Sequence, residues 1–209
     1  MNQNAQDTAV PLRARLKALR HEMSAQDRER GALLIRGRLF TWLATNRTRL
    51  RESGRPDVRH IAAFWSMAEE PELQPLLTQW ALDDGLTVSL PTVTGTGETL
   101  VFREWDLEAP MKTGAYGIQE PTGPVVQAPD VILVPTLGYT RQGDRLGYGG
   151  GYYDRTLAAL RAAGHRFTTL GVAWACGDLS QEAYEPAAHD VPLDCILTDK
   201  GWAVPAKDL

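Results

Sequence analysis

The chain has 209 residues, 43% hydrophobic and 23% charged, which is typical of one globular domain. A chain of this length buries a core without disulfides, and Cys176 and Cys195 lack the spacing of zinc ligands. It shows no signal-peptide core and no apolar run of the roughly 20 residues that a membrane-spanning helix needs. We therefore expect one cytoplasmic domain, 1–209, with a helical segment at 1–50, an α/β core at 58–200 and no membrane partner.

The net charge of −4 is unevenly distributed. Residues 1–60 carry 13 Lys and Arg against 6 Asp and Glu, whereas the remainder carries 9 against 20. A basic segment can attract polyanions such as nucleic acid or a nucleotide. These arginines do not alternate with aromatic residues, and no helix-turn-helix or zinc signature accompanies them. We therefore expect no nucleic-acid partner and interpret most of the basic residues as solvated positions on helices.

The first 60 residues predict two consecutive helices. Apolar residues recur at helical spacing from Leu12 to Met23, and Ser24 followed by Asp27 is typical of the N-cap of a second helix. We expect the polar run 45–57, with its glycine and proline, to end that helix. Its core-facing stripe is predicted to comprise Ile35, Leu39, Trp42 and Leu43.

The rest of the chain alternates between short apolar runs and helical patterns. The runs, which predict buried strands, are 61–64, 87–90, 131–134, 169–173 and 195–197. Segments 72–82 and 154–163 have helical periodicity. This alternation predicts a three-layer α/β/α fold with a largely parallel central sheet. Sheets of this kind bind ligands beyond the carboxyl ends of their strands.

A glycine-rich loop carries the strongest chemical signal. Five of the nine residues 143–151 are glycine, so successive backbone amides can converge on an anion. A helix beginning near Tyr152 would direct its positive end to the same place. Arg145 supplies a planar cation for phosphate oxygens, and Asp154 a hard oxygen ligand for magnesium. Neither GxxxxGK[ST] nor GxGxxG is present, and by composition alone a plain turn is the commoner interpretation.

The same loop resembles a known family. Residues 145–155, RLGYGGGYYDR, resemble the RLGxGxGYYD signature of the 5-formyltetrahydrofolate cyclo-ligase family, also called methenyltetrahydrofolate synthetases. Residues 64–70 (FWSMAEE), 90–91 (LP), 116–121 (YGIQEP) and 189–194 (HDVPLD) resemble further family segments in order and spacing. With residues 12–13 the resemblance spans nearly the whole chain.

The resemblance implies an activity and a set of site residues. Family members use ATP and magnesium to convert 5-formyltetrahydrofolate to 5,10-methenyltetrahydrofolate through phosphorylation of the formyl oxygen, releasing ADP and phosphate. The implied catalytic residues are Arg145 and Tyr152, and the implied metal ligands are Asp154 and Asp190. The implied ATP-binding residues are Arg13, Arg145, Leu146, Gly147, Tyr148, Gly149, Gly150, Gly151, Tyr152 and Tyr153. The implied folate-binding residues are Trp65, Glu70, Tyr116, Tyr148 and Tyr152.

Three departures from the family pattern leave alternatives open. Ala9 stands where a basic residue is usual, Thr140 where an aspartate is usual, and Gly177 where a glutamine is often found. One alternative is a sugar-phosphate isomerase or transferase, because a glycine loop with an arginine binds any phosphate ester. Another is a binding module for folate or nucleotide without turnover. We expect a monomer, since no long exposed apolar stripe is evident.

Overall fold

The structure is a computed structural model that describes residues 3–83 and 85–209, with side chains from residue 9 onward. Its helices are α1 Gln3–Glu22, α2 Ala25–Glu52, α3 Gln74–Ala81 and α4 Tyr152–Ala162. The first strands are β1 His60–Ala62, β2 Thr87–Val93, β3 Leu100–Glu104, β4 Met111–Thr113 and β5 Gln119–Pro121. They are followed by β6 Val131–Pro135, β7 Gly138–Tyr139, β8 Arg145–Leu146, β9 Thr168–Ala173, β10 Cys195–Thr198 and β11 Gly201–Val204.

Seven strands form one sheet in the order β11-β10-β9-β6-β1-β2-β3. The five central strands, from β10 to β2, pair in parallel, and both edge strands pair antiparallel to their neighbours. The pairs β4–β5 and β7–β8 form separate two-stranded hairpins. This confirms the predicted α/β class with a largely parallel sheet.

Helices cover both faces of the sheet. Leu39 of α2 and Leu77 of α3 belong to one buried cluster with Ile61 and Leu133 of the sheet. Leu157 of α4 packs in a second cluster against the opposite face. The three-layer arrangement is therefore confirmed, whereas the division at 1–50 and 58–200 stays a prediction. Within residues 3–83 and 85–209, no helix combines the length and apolar character needed to cross a membrane.

The predicted element boundaries agree closely with the structure. Ser24 caps α2 as expected, since its Oγ accepts a hydrogen bond from the Asp27 N–H at 3.0 Å. Helix α2 ends at Glu52, within the run 45–57 as predicted, although residues 45–52 of that run are still helical. Residues 45–52 include neither glycine nor proline, and the left-handed residue Gly54, with φ of 69°, comes only after the helix. The run also carries core contacts, because Leu50 is buried.

The strand order creates a crevice. After β1 the chain adds β2 on one side, and then places β6, β9 and β10 on the other. The connections therefore diverge between β1 and β6, and such a switch point leaves an opening at the carboxyl ends of the strands. Helix α1 lies across this edge, where Leu16 packs against Leu137 and Leu146.

We predict that Leu39→Ala lowers the free energy of unfolding by about 2 to 5 kcal/mol, because Leu39 is fully buried between α2 and the sheet. Urea denaturation followed by circular dichroism measures this change. Leu34→Ala is the matched control, since Leu34 lies on the same helix and is 41% exposed. Equal losses in the two variants would contradict the assigned packing.

Candidate active site

A cavity of about 740 Å³ opens at the switch point of the sheet. Phe64 and Trp65, which follow β1, line it together with Pro91 and Val93 of β2 and Pro135 of β6. Residues 147–151, the part of the glycine loop between β8 and α4, form another part of its wall. The cavity therefore lies at the carboxyl ends of three adjacent strands, where the sequence predicted a ligand site.

The structure brings all the sequence-predicted site residues to this one cavity. They are Arg13, Trp65, Glu70, Tyr116, Arg145, Leu146, Gly147, Tyr148, Gly149, Gly150, Gly151, Tyr152, Tyr153, Asp154 and Asp190. These residues come from the first helix, the connection after β1, the β4–β5 hairpin, the glycine loop and the C-terminal region. Their shared location is an observation, and their individual roles stay predictions.

The glycine loop adopts a conformation that other residues would strain. Gly149 and Gly151 have φ of 100° and 65°, and Gly151 is the N-cap of α4. A Cβ at Gly147 would lie 2.5 Å from Nη1 of Arg145. No described side chain caps the first amides of α4, so these N–H groups remain available to an anion in the cavity.

A buried ion pair fixes Arg145 under this loop. Its Nη2 donates to Oδ2 of Asp154 at 2.7 Å, and both residues are less than 10% exposed. Among the described residues, Nε of Arg145 has no hydrogen-bond partner, although it is buried. The guanidinium thus keeps donor capacity for a ligand beyond its bond to Asp154. Tyr184 fixes the backbone of the same residue by donating to the Arg145 carbonyl at 3.0 Å.

Asp154 also joins the C-terminal region to the loop. The Val191 N–H donates to Oδ1 of Asp154 at 3.3 Å, which places the adjacent Asp190 beside the same wall of the cavity. Oδ2 of Asp190 accepts from the Ala187 N–H at 2.8 Å. In residues 3–83 and 85–209, no group of three or more acidic, His or Cys side chains could hold a metal ion. Two carboxylates alone suit magnesium, which usually completes its shell with phosphate oxygens and water.

Glu70 is a buried carboxylate that lines the cavity next to Tyr148 of the glycine loop. Its Oε1 accepts from the Tyr148 hydroxyl at 2.7 Å, and its Oε2 from the Met67 N–H at 2.8 Å. Burial raises the pKa of Glu70, while the hydrogen bonds from Met67 and Tyr148 and the charge of Arg20 act in the opposite direction. Glu70 is thus a desolvated acceptor, and the balance between its ionised and neutral forms depends on these neighbours.

Sequence reasoning missed Arg20. Its Nη1 donates to the Tyr148 hydroxyl at 2.7 Å, and its Nη2 donates to the carbonyls of Thr136 and Leu137. A signal was available, since Arg20 lies seven residues after Arg13 and therefore on the same face of α1. Arg13 itself donates from Nε to the Gly147 carbonyl at 2.9 Å.

An aromatic pair lies at the mouth of the cavity. Tyr116, 74% exposed, has φ of 61°, a conformation that non-glycine residues seldom adopt. Its hydroxyl is 3.2 Å from that of Tyr152, and their rings meet edge to face at 6.3 Å. The hydrogen bond to Tyr116 raises the pKa of Tyr152. Deeper in, Trp65 packs edge to face against Trp105 at 6.0 Å, which orients the Trp65 ring.

The three residues that depart from the family pattern, Ala9, Thr140 and Gly177, fit this structure. The Thr140 hydroxyl accepts from the N–H groups of Gln142 and Asp144 and donates to the Asp144 carboxylate at 2.9 Å, so it anchors the turn before β8. A Cβ at Gly177 would lie 2.6 Å from the Leu137 carbonyl oxygen, so a larger residue there would require the backbone to shift. Ala9 is buried beside the leucines under α1 and also lines the cavity.

The fold and cavity define an α/β protein in which a glycine loop and a buried carboxylate line one cavity at the carboxyl ends of the strands. Comparison with known proteins identifies the family. The model of the 5-formyltetrahydrofolate cyclo-ligase family matches residues 5–199, and the chain belongs to this family.

Individual relatives agree with this assignment. The 5-formyltetrahydrofolate cyclo-ligase of Mycolicibacterium smegmatis is 31% identical over 197 residues, covering 90% of this chain and 92% of the relative. The Haemophilus influenzae protein of the same name is 32% identical over 146 residues, covering 66% of this chain and 75% of its own. The fold matches the 5,10-methenyltetrahydrofolate synthetase structure from Aquifex aeolicus with a TM-score of 0.75 at 24% identity, covering 96% of this chain and 95% of the other.

Proposed function

We propose that this chain is an enzyme that converts 5-formyltetrahydrofolate to 5,10-methenyltetrahydrofolate, with ATP as co-substrate and ADP and phosphate as products. Family membership supports the reaction. The observation that carries the proposal for this chain is the single cavity, which joins an anion-binding loop to a pocket containing a buried carboxylate and aromatic rings. The reaction requires such a meeting point, since a phosphate must be brought to a formylated pterin.

The nucleotide is proposed to bind at Arg13 and residues 145–153. Backbone amides of the glycine loop and the first turn of α4 point positive partial charge at the phosphates. The guanidinium of Arg145, whose Nε has no hydrogen-bond partner among the described residues, adds a full charge at the same place. Because Asp154 fixes Arg145 before any ligand arrives, little reorganisation is needed when charge develops on the transferring group.

The folate is proposed to bind between Glu70 and the aromatic residues. A carboxylate accepts paired donors from the amino edge of a pterin, and Trp65 offers an aromatic face or edge to its flat ring. Tyr116 and Tyr152 lie where they can cover the ligand at the mouth. Tyr148 lies between the two subsites, with its hydroxyl on Glu70 and its backbone in the loop.

The proposed chemistry needs no protein nucleophile. The formyl oxygen attacks the γ-phosphorus, and the bond to ADP breaks. The neighbouring folate nitrogen then attacks the formyl carbon, its proton is lost, and phosphate departs with the former formyl oxygen. Positioning and charge stabilisation are the protein's contribution to such phosphoryl transfer. Arg145 stabilises the developing charge. Tyr152, at the junction of both ligands, positions them.

Asp154 and Asp190 are proposed to hold a magnesium ion together with phosphate oxygens of the nucleotide. Bound there, the ion would offset negative charge on the phosphates. The position of Asp190 supports this role, because the Val191 hydrogen bond keeps it next to Asp154. The monomeric state and the cytoplasmic location stay predictions.

The reaction itself provides the first test. We expect absorbance of the methenyl product to appear only when protein, 5-formyltetrahydrofolate, magnesium and ATP are all present, with each omitted in turn as a control. Folate or nucleotide binding without product would instead favour a module without turnover. Turnover of a sugar phosphate and none of 5-formyltetrahydrofolate would favour the isomerase or transferase alternative.

We predict that Arg145→Lys lowers kcat by roughly 100-fold with a much smaller effect on the Kd for 5-formyltetrahydrofolate. Lysine keeps the charge beside Asp154 but loses the planar set of donors. Steady-state kinetics and calorimetric folate titration measure the two effects. Arg141→Lys is the control, since Arg141 pairs with Asp178 outside the cavity. An unchanged kcat in Arg145→Lys would refute the role of Arg145.

We predict that Asp190→Asn raises the magnesium concentration needed for half-maximal velocity by roughly tenfold, because a charged ligand becomes a neutral one. Asparagine can still accept the Ala187 hydrogen bond through its oxygen. Magnesium titrations at saturating ATP provide the measurement. Glu185→Gln removes a nearby carboxylate from the cavity rim and controls for general negative potential. The same magnesium requirement in Asp190→Asn and wild type would contradict metal ligation.

A further inference from the structure

Hydrogen bonds link Arg20 of the first helix, through Tyr148 of the glycine loop, to the Glu70 carboxylate in the cavity wall. Arg20 donates to the Tyr148 hydroxyl at 2.7 Å, and that hydroxyl donates to Oε1 of Glu70 at 2.7 Å. The members are separated in sequence by 128 and 78 positions. These hydrogen bonds therefore exist only in the folded protein. Neither Arg20 nor the link to Tyr148 follows from the family signature, in which position 148 is variable.

We propose that Tyr148 and Arg20 are positioning residues that hold the Glu70 carboxylate ionised and correctly oriented for the pterin. This inference rests on the proposed function, in which Glu70 accepts the amino edge of the folate. It assigns Tyr148 a task directed at Glu70 in addition to its loop position, and it brings Arg20 into the site as a residue that acts through Tyr148.

Geometry leaves the Tyr148 hydroxyl little freedom. Its oxygen accepts from Arg20, so its one proton is directed at Glu70. Arg20 is itself only 2% exposed and is fixed by the carbonyls of Thr136 and Leu137 after β6. The second oxygen of Glu70 is fixed by the Met67 N–H. Both carboxylate oxygens are thus oriented by the protein, and each keeps a lone pair for a ligand.

The charges around Glu70 explain why the hydrogen bonds from Arg20 to Tyr148 and from Tyr148 to Glu70 are needed. Glu70 is 7% exposed, and burial raises its pKa. Arg20 from α1 and Tyr148 from the loop act against that rise, while Tyr153 from α4 faces the same region and feels the charge of Glu70. Burial also raises the pKa of Tyr148, so its hydroxyl keeps the proton that it donates. Removal of the Tyr148 hydroxyl therefore favours the neutral form of Glu70, which is a poorer acceptor for the pterin.

The test uses the full chain with Tyr148→Phe, which removes one oxygen and keeps the ring. Carbon-13 NMR of side-chain carboxyl groups follows the titration of Glu70, whose signal is identified by its loss in Glu70→Gln. We expect the Glu70 titration midpoint to move to higher pH in Tyr148→Phe. Calorimetry should show that affinity for 5-formyltetrahydrofolate is reduced roughly tenfold at pH 6 and less at pH 8.

Matched variants separate this role from general damage. Tyr184→Phe removes another tyrosine hydroxyl at the cavity, one that bonds to the Arg145 carbonyl, and should leave the Glu70 midpoint unchanged. Arg20→Met should move the midpoint upward, whereas Arg15→Met removes a cation from the same helix that pairs with Glu182 and should not.

The outcomes are distinct. An unchanged Glu70 midpoint in Tyr148→Phe, or an affinity loss that is the same at every pH, would overturn the inference. A wild-type chain that shows the expected titrations but binds no 5-formyltetrahydrofolate would refute the proposed function, while the effect of Tyr148 and Arg20 on Glu70 would stand.

Discussion

The buried ion pair between Arg145 and Asp154 is the interaction on which the geometry of the site depends. It joins the β7–β8 hairpin to the first turn of α4, with the glycine loop between its two ends. The Val191 hydrogen bond adds the C-terminal segment to the same carboxylate. A buried pair of this kind is costly to break, because one partner would be left charged and desolvated. The loop is thereby held at the cavity wall by residues that themselves line the cavity.

Helix α1 completes the site from outside the parallel sheet. Leu16 packs α1 onto the β7–β8 hairpin. Arg13 and Arg20, on one face of the helix, reach inward to different depths. Arg13 meets the glycine loop, whereas Arg20 reaches the strand end after β6 and the Tyr148 hydroxyl. The excess of positive charge in the first 60 residues therefore has a partial structural explanation: some of these cations serve the cavity, and others, such as Arg47 with Asp57 and Asp83, form ion pairs within the fold.

Sequence patterns predicted the parallel core of the sheet because those strands are buried on both faces and read as continuous apolar runs. The edge strands β3 and β11 were missed for the converse reason. β3 alternates between buried and half-buried positions before its exposed end, and β11 is half-buried throughout, so each offers only three consecutive apolar residues, 100–102 and 202–204, that are not buried on both faces. Where α2 ends within the polar run 45–57 was decided by packing, because Leu50 and the Arg47 ion pairs hold the chain in helical form as far as Glu52.

By itself, the sequence determined the fold class, the glycine loop with its flanking Arg145 and Asp154, and the family. These features rest on local periodicity and on short motifs, which are legible without knowledge of distant contacts. Only the tertiary structure decided that Arg20, Tyr148 and Glu70 are linked by hydrogen bonds, and that Thr140 and Gly177 suit the backbone around them. Apart from the local turn at Thr140, those relations join residues far apart in the chain, and their energies come from burial and close approach, which exist only once the sheet and α1 have packed together.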